Sequence, residues 1–324
     1  MSNYDTLVKR IEDREVILLD GAIGTQLQSM GVPMNPRAWA GTALERHPYT
    51  VRRMHENYIR AGVDVITTNT YPTARHNLEP LGLGDLTMEL NLRAVMLAQD
   101  ARDKVAGDRP VVIAGAVSNY GLMTGAEPGW RDYPYFAHRP EHSESQAREN
   151  LREQAQILAD AGVDLLIAEP TGSSLQRQWV IEACVSTGLP VWMGFKCRVD
   201  GELGEVKVGY RSEEPFLQEF ERLCALGGSA VSIFHSSVAA TDAALSLVRE
   251  HWAGPIAVYP EAERRDYVEA FRDETQPTPI TPEEFVDKTL AWIDRGAQIV
   301  GGCCGIEIEY IRALRKALPA RLPD

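Results

Sequence analysis

Short, nearly continuous apolar runs recur along the whole chain, separated by longer segments in which apolar positions follow a helical period. Because these runs do not alternate between apolar and polar positions, they are typical of parallel strands covered on both faces. The runs number eight: EVILLD (15–20), VDVITTNT (63–70), VVIAGAV (111–117), VDLLIAEP (163–170), VWMGFKC (191–197), AVSIFH (230–235), IAVYP (256–260) and IVGGCCG (299–305).

The segments between these runs predict amphipathic helices, for example TVRRMHENYIRAG, LREQAQILADAG and PEEFVDKTLAWIDRGA. Several end in a glycine just before the next strand, as expected of a helix C-terminus, and AGVD occurs twice in this role. Eight successive strand–helix units predict an α/β fold of the (β/α)8 TIM-barrel type, with a doubly wound open sheet as the alternative. The segment QPTPITPEE predicts a helix start at Thr281 and Pro282, not a domain boundary, so we expect one domain over residues 1–324.

In a barrel of this type the chemistry lies at the carboxyl ends of the strands. Those ends place acidic, thiol and imidazole groups on one rim, namely Asp20, Glu169, Cys197, His235, Cys303 and Cys304. Residues 118–144 follow the third strand and are rich in glycine and aromatic residues. We expect this long segment to form a lid or a wall of the pocket.

Composition narrows the classes of partner. The net charge of −13 without a basic cluster argues against nucleic acid, because binding to a phosphate backbone depends on lysine and arginine. The first residues do not resemble a secretion signal, and no apolar run reaches the ~20 residues of a membrane-spanning helix, so we expect a cytoplasmic protein without a membrane partner. The protein is a possible homo-oligomer, but the periodicity of apolar residues does not identify an exposed face through which it would assemble.

The adjacent cysteines in VGGCCGI are the strongest chemical signal. Five cysteines without a secretion signal favour reduced thiols, and a close pair of thiols favours metal binding or catalysis. The glycines around Cys303 and Cys304 permit a bend that lets both sulfurs reach one ion. A catalytic zinc site needs a third protein ligand, for which His235 and Cys197 are the candidates. Cys184 and Cys224 lie in predicted helices and are expected in the core.

Several motifs together resemble the homocysteine S-methyltransferase family. They are GGCCG after an apolar strand, DGAIGTQL (20–27), TTNTYPTA (67–74), the Glu169 of LLIAEP, and YPEA (259–262), and they span nearly the whole chain. The resemblance implies a zinc-dependent (β/α)8 barrel that methylates a thiol. It also implies three zinc ligands, two from the GGCC motif and one cysteine that ends the sixth strand.

In this chain the sixth strand ends in SIFHSS, where His235 takes the place of that cysteine. The resemblance therefore implies a Zn²⁺ site made of His235, Cys303 and Cys304. A register shifted by one residue would place Phe234 at the ligand position and leave Cys197 or water to complete the site.

The resemblance also implies a set of substrate-binding residues. Asp20 and Glu169 correspond to the carboxylates that hold the amino group of homocysteine, and the amides near Gly21 and Ala22 would face its carboxylate. Residues 36–62 are similar to the betaine-using branch, whose tryptophan against a quaternary ammonium corresponds to Trp39. Pro72 and Pro170 stand where that branch has tyrosines. From the residues alone, Asp20 could instead cap a helix and Trp39 could simply pack in a loop.

The predicted function is zinc-dependent transfer of a methyl group from a small sulfonium or quaternary ammonium donor to the thiol of homocysteine or a similar thiol, giving methionine. No side chain needs to act as a nucleophile, because the metal-activated thiolate of the substrate attacks the methyl group. Two alternatives stay open: a catabolic demethylase with another acceptor, and a non-catalytic zinc- or thiol-binding relative.

Overall fold

The computed structural model describes residues 2–125, 139–200, 204–209, 212–262 and 279–323. Within them, eight parallel strands form one sheet: β1 Ile17–Leu18, β2 Val65–Thr67, β3 Val112–Ser118, β4 Leu165–Glu169, β5 Val191–Phe195, β8 Ala230–Phe234, β9 Ile256–Tyr259 and β10 Ile299–Val300. Their spatial order is β1-β10-β9-β8-β5-β4-β3-β2. A parallel bridge between Leu19 and Val65 joins β1 to β2 and closes the ring. The (β/α)8 barrel is confirmed, and the open sheet is excluded.

Helices surround this barrel. They are α1 Asn3–Glu12, α2 Gly24–Ser29, α3 Ala43–Arg46, α4 Pro48–Ala61, α5 Arg75–Leu78, α6 Thr87–Val105, α7 Glu144–Asp160, α8 Ser174–Val185, α9 Phe216–Cys224, α10 Val238–His251, α11 Pro282–Asp294 and α12 Ile308–Ala317. The two AGVD segments follow α4 and α7 as predicted, with Gly62 and Gly162 at φ 98° and 84°. Thr281 caps α11 in a capping box, which confirms the predicted helix start.

Side chains alternate between the two faces of each strand. Those that point inward form one apolar cluster, which includes Val112, Ala114, Leu165, Ile167, Trp192, Phe234 and Tyr259. Leu7 of α1 joins this cluster and covers the barrel at its amino end. Outward-facing residues pack against the helices in a second, larger cluster. The interior is therefore filled with side chains, and space for a ligand is left at the carboxyl ends of the strands.

Apart from β3, the strands are shorter than the apolar runs predicted. The run 299–305 contributes only Ile299–Val300 to the sheet, because the chain leaves the barrel at the glycines and turns across its mouth. An antiparallel hairpin of β6 Cys197–Asp200 and β7 Glu205–Val208 follows β5 and was not predicted. Cys197 therefore begins a hairpin strand and does not end a barrel strand.

Two predictions are not decided by these elements. Residues 126–138 of the predicted lid lie outside the described part of the chain. The single domain over residues 1–324 also stays a prediction. Among the described residues, no helix combines the length and the apolar character needed to cross a membrane.

Candidate metal centre and substrate pocket

Three predicted ligands meet at the mouth of the barrel. The Nδ1 atom of His235 lies 3.2 Å from the Sγ atom of Cys303 and 3.8 Å from that of Cys304. The two sulfurs are 3.8 Å apart. Ligand atoms this close to one another can share a single ion, and imidazole with two thiols is a donor set that suits zinc.

The two cysteines lie in a tight turn at the end of β10. The amide of Gly302 donates to the carbonyl of Asp20 over 3.1 Å, and the amide of Cys303 donates to the carbonyl of Pro260 over 2.8 Å. A Cβ atom on Gly302 would lie 2.1 Å from the side chain of Ile306. A side chain at this position is therefore excluded by packing, which explains the glycine before the cysteine pair.

The imidazole of His235 lies at the end of β8. Phe234 points into the barrel, and its ring stacks under that of His235 with centroids 6.0 Å apart. His235 has a φ of 50°, in the left-handed region that residues other than glycine seldom adopt. This geometry places the ring of His235, and not that of Phe234, beside Cys303. The shifted register considered from sequence is therefore excluded.

Cys197, the other candidate ligand, lies elsewhere. It is buried, and its sulfur contacts the hydroxyl of Ser236 at 3.5 Å and the carbonyl of Ala240 at 3.6 Å. Burial raises its pKa to about 12, so its thiolate is disfavoured. Among the described residues, the group that could hold a metal contains His235, Cys303 and Cys304 without Cys197. Cys184 is buried in the core as expected, and Cys224 is partly buried against it.

The charges around the cysteines favour a cation. The neighbouring Cys304 thiol and burial raise the pKa of Cys303, and the carboxylates of Glu169 and Glu261 raise it further. Glu261 Oε2 also lies 3.9 Å from His235 Nδ1. The YPEA motif thus contributes a carboxylate that the sequence did not single out. Because negative groups surround the sulfurs, a divalent cation would be stabilised between them.

A pocket of about 730 Å³ opens beside this group. Its lining combines the ends of β1, β2, β4, β8, β9 and β10, and it includes Asp20, Trp39, Tyr71, Glu169, His235, Tyr259 and both cysteines. This volume includes space that is open to solvent. The candidate metal centre therefore forms part of the wall of an open pocket at the mouth of the barrel.

Two acidic residues, Asp20 and Glu169, line this pocket. Asp20 is 2% exposed and accepts hydrogen bonds from the amide of Thr67 at 2.7 Å and from its hydroxyl at 3.0 Å. Burial raises the pKa of Asp20 to about 8 and that of Glu169 to about 7, although Tyr259 hydrogen-bonds to Glu169 and opposes the shift. The N-cap of α2 is Ile23, so Asp20 does not cap that helix. Such a pair of carboxyl groups would become ionised beside a positively charged ligand.

Gly21 and Ala22 also line the pocket. A Cβ atom on Gly21 would lie 2.4 Å from the carbonyl oxygen of Ile306, so glycine is needed for close backbone approach. The amide of Ala22 donates to that same carbonyl over 2.9 Å. The amide of Ala22 is therefore engaged within the protein, and the expectation that the amides near Gly21 and Ala22 face the acceptor carboxylate stays a prediction.

Aromatic rings form another wall. Trp39 lines the pocket together with Tyr71, and Tyr120 lies 5.5 Å from Tyr71 and 6.5 Å from Trp39 between ring centroids. Trp39 also has a positive φ, 39°. The guanidinium of buried Arg139 lies 5.1 Å from the centroid of Tyr120 and donates to the carbonyl of Arg37. Trp39 thus lines the pocket and also packs against the core, and its contact with a methyl donor stays a prediction.

Sequence reasoning did not assign roles to Tyr71, Tyr120, Tyr259 or Arg139. Tyr71 lies within the TTNTYPTA motif and Tyr259 within YPEA, so the motifs themselves were a usable signal for these two residues. Tyr120 and Arg139 offered no comparable signal. Their relation depends on contacts between segments that are far apart in sequence.

A (β/α)8 barrel whose mouth combines a His-Cys-Cys group, the carboxyl groups of Asp20 and Glu169, and aromatic walls has the features of a small-molecule enzyme. The sequence profile of the homocysteine S-methyltransferase family matches residues 17–318. A selenocysteine methyltransferase from Astragalus bisulcatus is 28% identical over 93% of this chain and 92% of its own length. Homocysteine S-methyltransferase from Escherichia coli strain K12 is 25% identical over 97% and 99%.

Solved structures agree on the fold. The crystal structure of the E. coli homocysteine methyltransferase MmuM in its metallated form superimposes with a TM-score of 0.72, at 22% identity over 94% of this chain and 97% of that chain. The chain belongs to the homocysteine S-methyltransferase family. The predicted family and the predicted enzyme class, an S-methyltransferase, are thereby confirmed.

Proposed function

We propose that this protein transfers a methyl group from a small sulfonium or quaternary ammonium donor to the thiol of homocysteine or a similar thiol, giving methionine. The observation that carries the proposal is the convergence of His235 Nδ1 and the sulfurs of Cys303 and Cys304 on the wall of a pocket that also holds Asp20 and Glu169. His235, Cys303 and Cys304 would hold Zn²⁺. When bound there, zinc would stabilise the thiolate form of an acceptor sulfur near neutral pH.

The acidic residues would bind the amino end of the acceptor. Asp20 is oriented by two hydrogen bonds from Thr67, and Glu169 by one from Tyr259. Both carboxyl groups are costly to ionise in the empty pocket, and an ammonium group beside them would offset that cost. These two residues would therefore select an amino-acid thiol over a simple alkyl thiol.

The aromatic residues would bind the methyl donor. Trp39 and Tyr71 line the pocket, and the centroid of the Tyr71 ring lies 6.4 Å from that of His235. A sulfonium or quaternary ammonium ion is attracted to aromatic faces by its positive charge. This placement would keep the donor methyl group on the side of the pocket nearest the cysteines. The apolar side chains of Ala116, Ile167 and Phe234 line the rest and would exclude water.

Metal analysis and a donor panel test the proposal together. Purified protein should contain about one zinc per chain. Incubation with homocysteine and a panel of sulfonium and ammonium donors should yield methionine, detected by mass spectrometry. Cys224→Ser is a matched control, because Cys224 lies at the end of α9 outside the metal-binding group, and it should retain both zinc and activity.

The outcomes separate the candidate functions. Demethylation of a donor with another thiol, without methionine formation, would favour the demethylase with a different acceptor. Zinc binding without turnover of any donor in the panel would contradict the proposed reaction. Protein that does not take up zinc would contradict the metal centre itself.

A further inference from the structure

The turn that carries His235 is closed by the hydroxyl of a neighbouring residue. Ser236 is buried, and its Oγ atom donates to the carbonyl of Phe234 over 2.8 Å. This bond joins the residues on either side of His235 and so encloses it in a tight turn. The same oxygen accepts a hydrogen bond from the amide of Cys197 over 2.9 Å. The turn is thereby attached to the segment that follows β5.

A second contact holds the turn from the opposite side. The carbonyl of Ser236 accepts a hydrogen bond of 3.0 Å from the amide of Glu261, just beyond the end of β9. The turn after β8 is thus tied to the segments that follow both of its neighbouring strands, β5 and β9. A left-handed conformation at a residue other than glycine persists only where its surroundings impose it. These contacts supply that constraint.

Strand geometry shows why the constraint is needed. In β8, Ala230 and Phe234 face the barrel interior, whereas Val231 and Ile233 face the helices. Because side chains alternate along a strand, an extended residue 235 would also face the helices. The φ of 50° breaks this alternation, and Nδ1 of His235 comes to lie 3.2 Å from Cys303 Sγ.

We propose that Ser236 is a positioning residue that holds the imidazole of His235 towards the two cysteines. Its hydroxyl acts through the backbone on both sides of the histidine and does not touch a substrate. The inference deepens the proposed function, since its consequence for metal affinity rests on His235 serving as a ligand. Its geometric part can be tested without a metal.

Two adjacent serines provide a matched test. Ser237 caps α10 by accepting from the amide of Ala240 at 3.1 Å, so Ser237→Ala removes a hydroxyl from the same segment and weakens a helix end. Zn²⁺ affinity of the purified full-length chain is measured by competition with a chromogenic chelator. We expect Ser236→Ala to raise the dissociation constant about 10-fold or more, whereas Ser237→Ala changes it less than about 2-fold. Ser236→Thr, which keeps the hydroxyl, should restore affinity.

A double-mutant cycle shows whether Ser236 acts through the histidine. In a His235→Ala background, Ser236→Ala should change the Zn²⁺ dissociation constant by less than about 2-fold, because the ligand it orients is gone. An equal loss in both backgrounds would mean that Ser236 has only a general structural role, and would overturn the proposal. If Ser236→Ala does not fold, Ser236→Cys, which weakens the same hydrogen bonds, replaces it in the cycle.

The crystal structure of metal-free Ser236→Ala decides the geometric part. We expect the backbone at His235 to relax towards an extended conformation and Nδ1 to move out of contact with Cys303 Sγ. An unchanged histidine would refute the positioning role whether or not the protein binds zinc. A wild-type protein that does not bind zinc would contradict the proposed function, while this comparison of structures would still decide the role of Ser236.

Discussion

The two strand ends that supply the metal-binding group are built in opposite ways. The end of β10 turns at Gly301 and Gly302, where the backbone lies so close to its neighbours that no side chain fits. The end of β8 turns at His235 itself, whose left-handed backbone is held by hydrogen bonds of Ser236. The conformation of the β10 end requires residues without side chains. The conformation of the β8 end requires hydrogen bonds that stabilise a strained backbone.

Because of this difference, we expect substitutions at the two ends to change the positions of the ligand atoms in different ways. Adding atoms at the β10 end creates a steric clash, which displaces both sulfurs together. Changing the β8 end removes or exchanges a single ligand, which leaves the two sulfurs in place. The following predictions test this contrast, beginning with the largest expected effect.

Removing a sulfur from the β10 end should have the largest effect. Cys304→Ser exchanges a thiolate for a hydroxyl, which is a poor zinc ligand, and leaves the backbone of the turn unchanged. We expect zinc to be lost and the rate of methyl transfer to fall by more than about 100-fold, since even residues that only support metal ligands are worth about 10–100-fold. Metal content and methionine formation are measured on the same preparation. Retention of both would refute the assignment of Cys304.

Filling the β10 turn should be nearly as damaging. A Cβ atom on Gly302 would meet the side chain of Ile306 at 2.1 Å, so Gly302→Ala must displace the turn or the side chain of Ile306. We expect a loss of about 1–3 kcal/mol in the free energy of unfolding, as for other overpacked positions, together with weaker zinc binding. Denaturant unfolding and chelator competition measure the two effects. Gly31→Ala is a useful comparison, because a Cβ there meets no atom within 4 Å, although its φ of 88° adds backbone strain.

Asp20 lies beside the β10 end, because its carbonyl accepts a hydrogen bond from the amide of Gly302. Its carboxyl group should make the stability of the protein depend on pH. Burial raises the pKa of Asp20 to about 8 and that of Glu169 to about 7. From about pH 4 to about pH 8 the folded protein retains protons that the unfolded chain releases, so the ligand-free protein should lose stability as the pH rises.

The affinity of the pocket for an amino acid should instead increase as the pH rises, because the ammonium group of the ligand favours the ionised carboxylates. We expect the dissociation constant of methionine, which has no thiol proton, to fall about 10-fold from pH 6 to pH 8. Calorimetric titration measures it, and Asp20→Asn should flatten the dependence. Binding that is independent of pH would contradict the assignment of these carboxyl groups to the amino end.

Exchanging the ligand at the β8 end should have the smallest effect. His235→Cys supplies a thiolate in place of the imidazole, at the position where the family resemblance implies a cysteine. A third thiolate makes the site more negative, so a bound acceptor sulfur should be a stronger nucleophile. We expect zinc to be retained and turnover to be sustained or raised, as measured by metal analysis and initial rates. Loss of zinc from this variant would remove His235 from the ligand set.

Much of the barrel could be predicted from local patterns. The apolar runs identified all eight barrel strands, and the glycine-terminated helices α4 and α7 lie where their periodicity indicated. Apart from β3, the strands proved shorter than their runs, because the last residues of those runs leave the ladder to form the mouth. Apolar character indicates burial, and many residues at the mouth are as buried as those paired in the sheet.

The hairpin of β6 and β7 was missed for a related reason. Cys197 closes an apolar run and so looked like a strand end on the rim, but its amide and sulfur both contact the turn after β8. Its potential as a ligand could only be judged from its distance to the other sulfurs. Arg139 is a similar case, since its contacts join Asn77, Arg37 and Tyr120 from three separate segments.

The sequence by itself determined the barrel, the glycine turn with its paired sulfurs, and the acidic residues at the ends of β1 and β4, because each follows from the order and type of neighbouring residues. Only the tertiary structure decided that His235, and not Cys197, lies with Cys303 and Cys304 in the candidate metal-binding group. Strand alternation alone directs residue 235 towards the helices. Its reversal depends on hydrogen bonds that reach Ser236 from Cys197 and Glu261, in the segments that follow β5 and β9, the two strands beside β8 in the barrel.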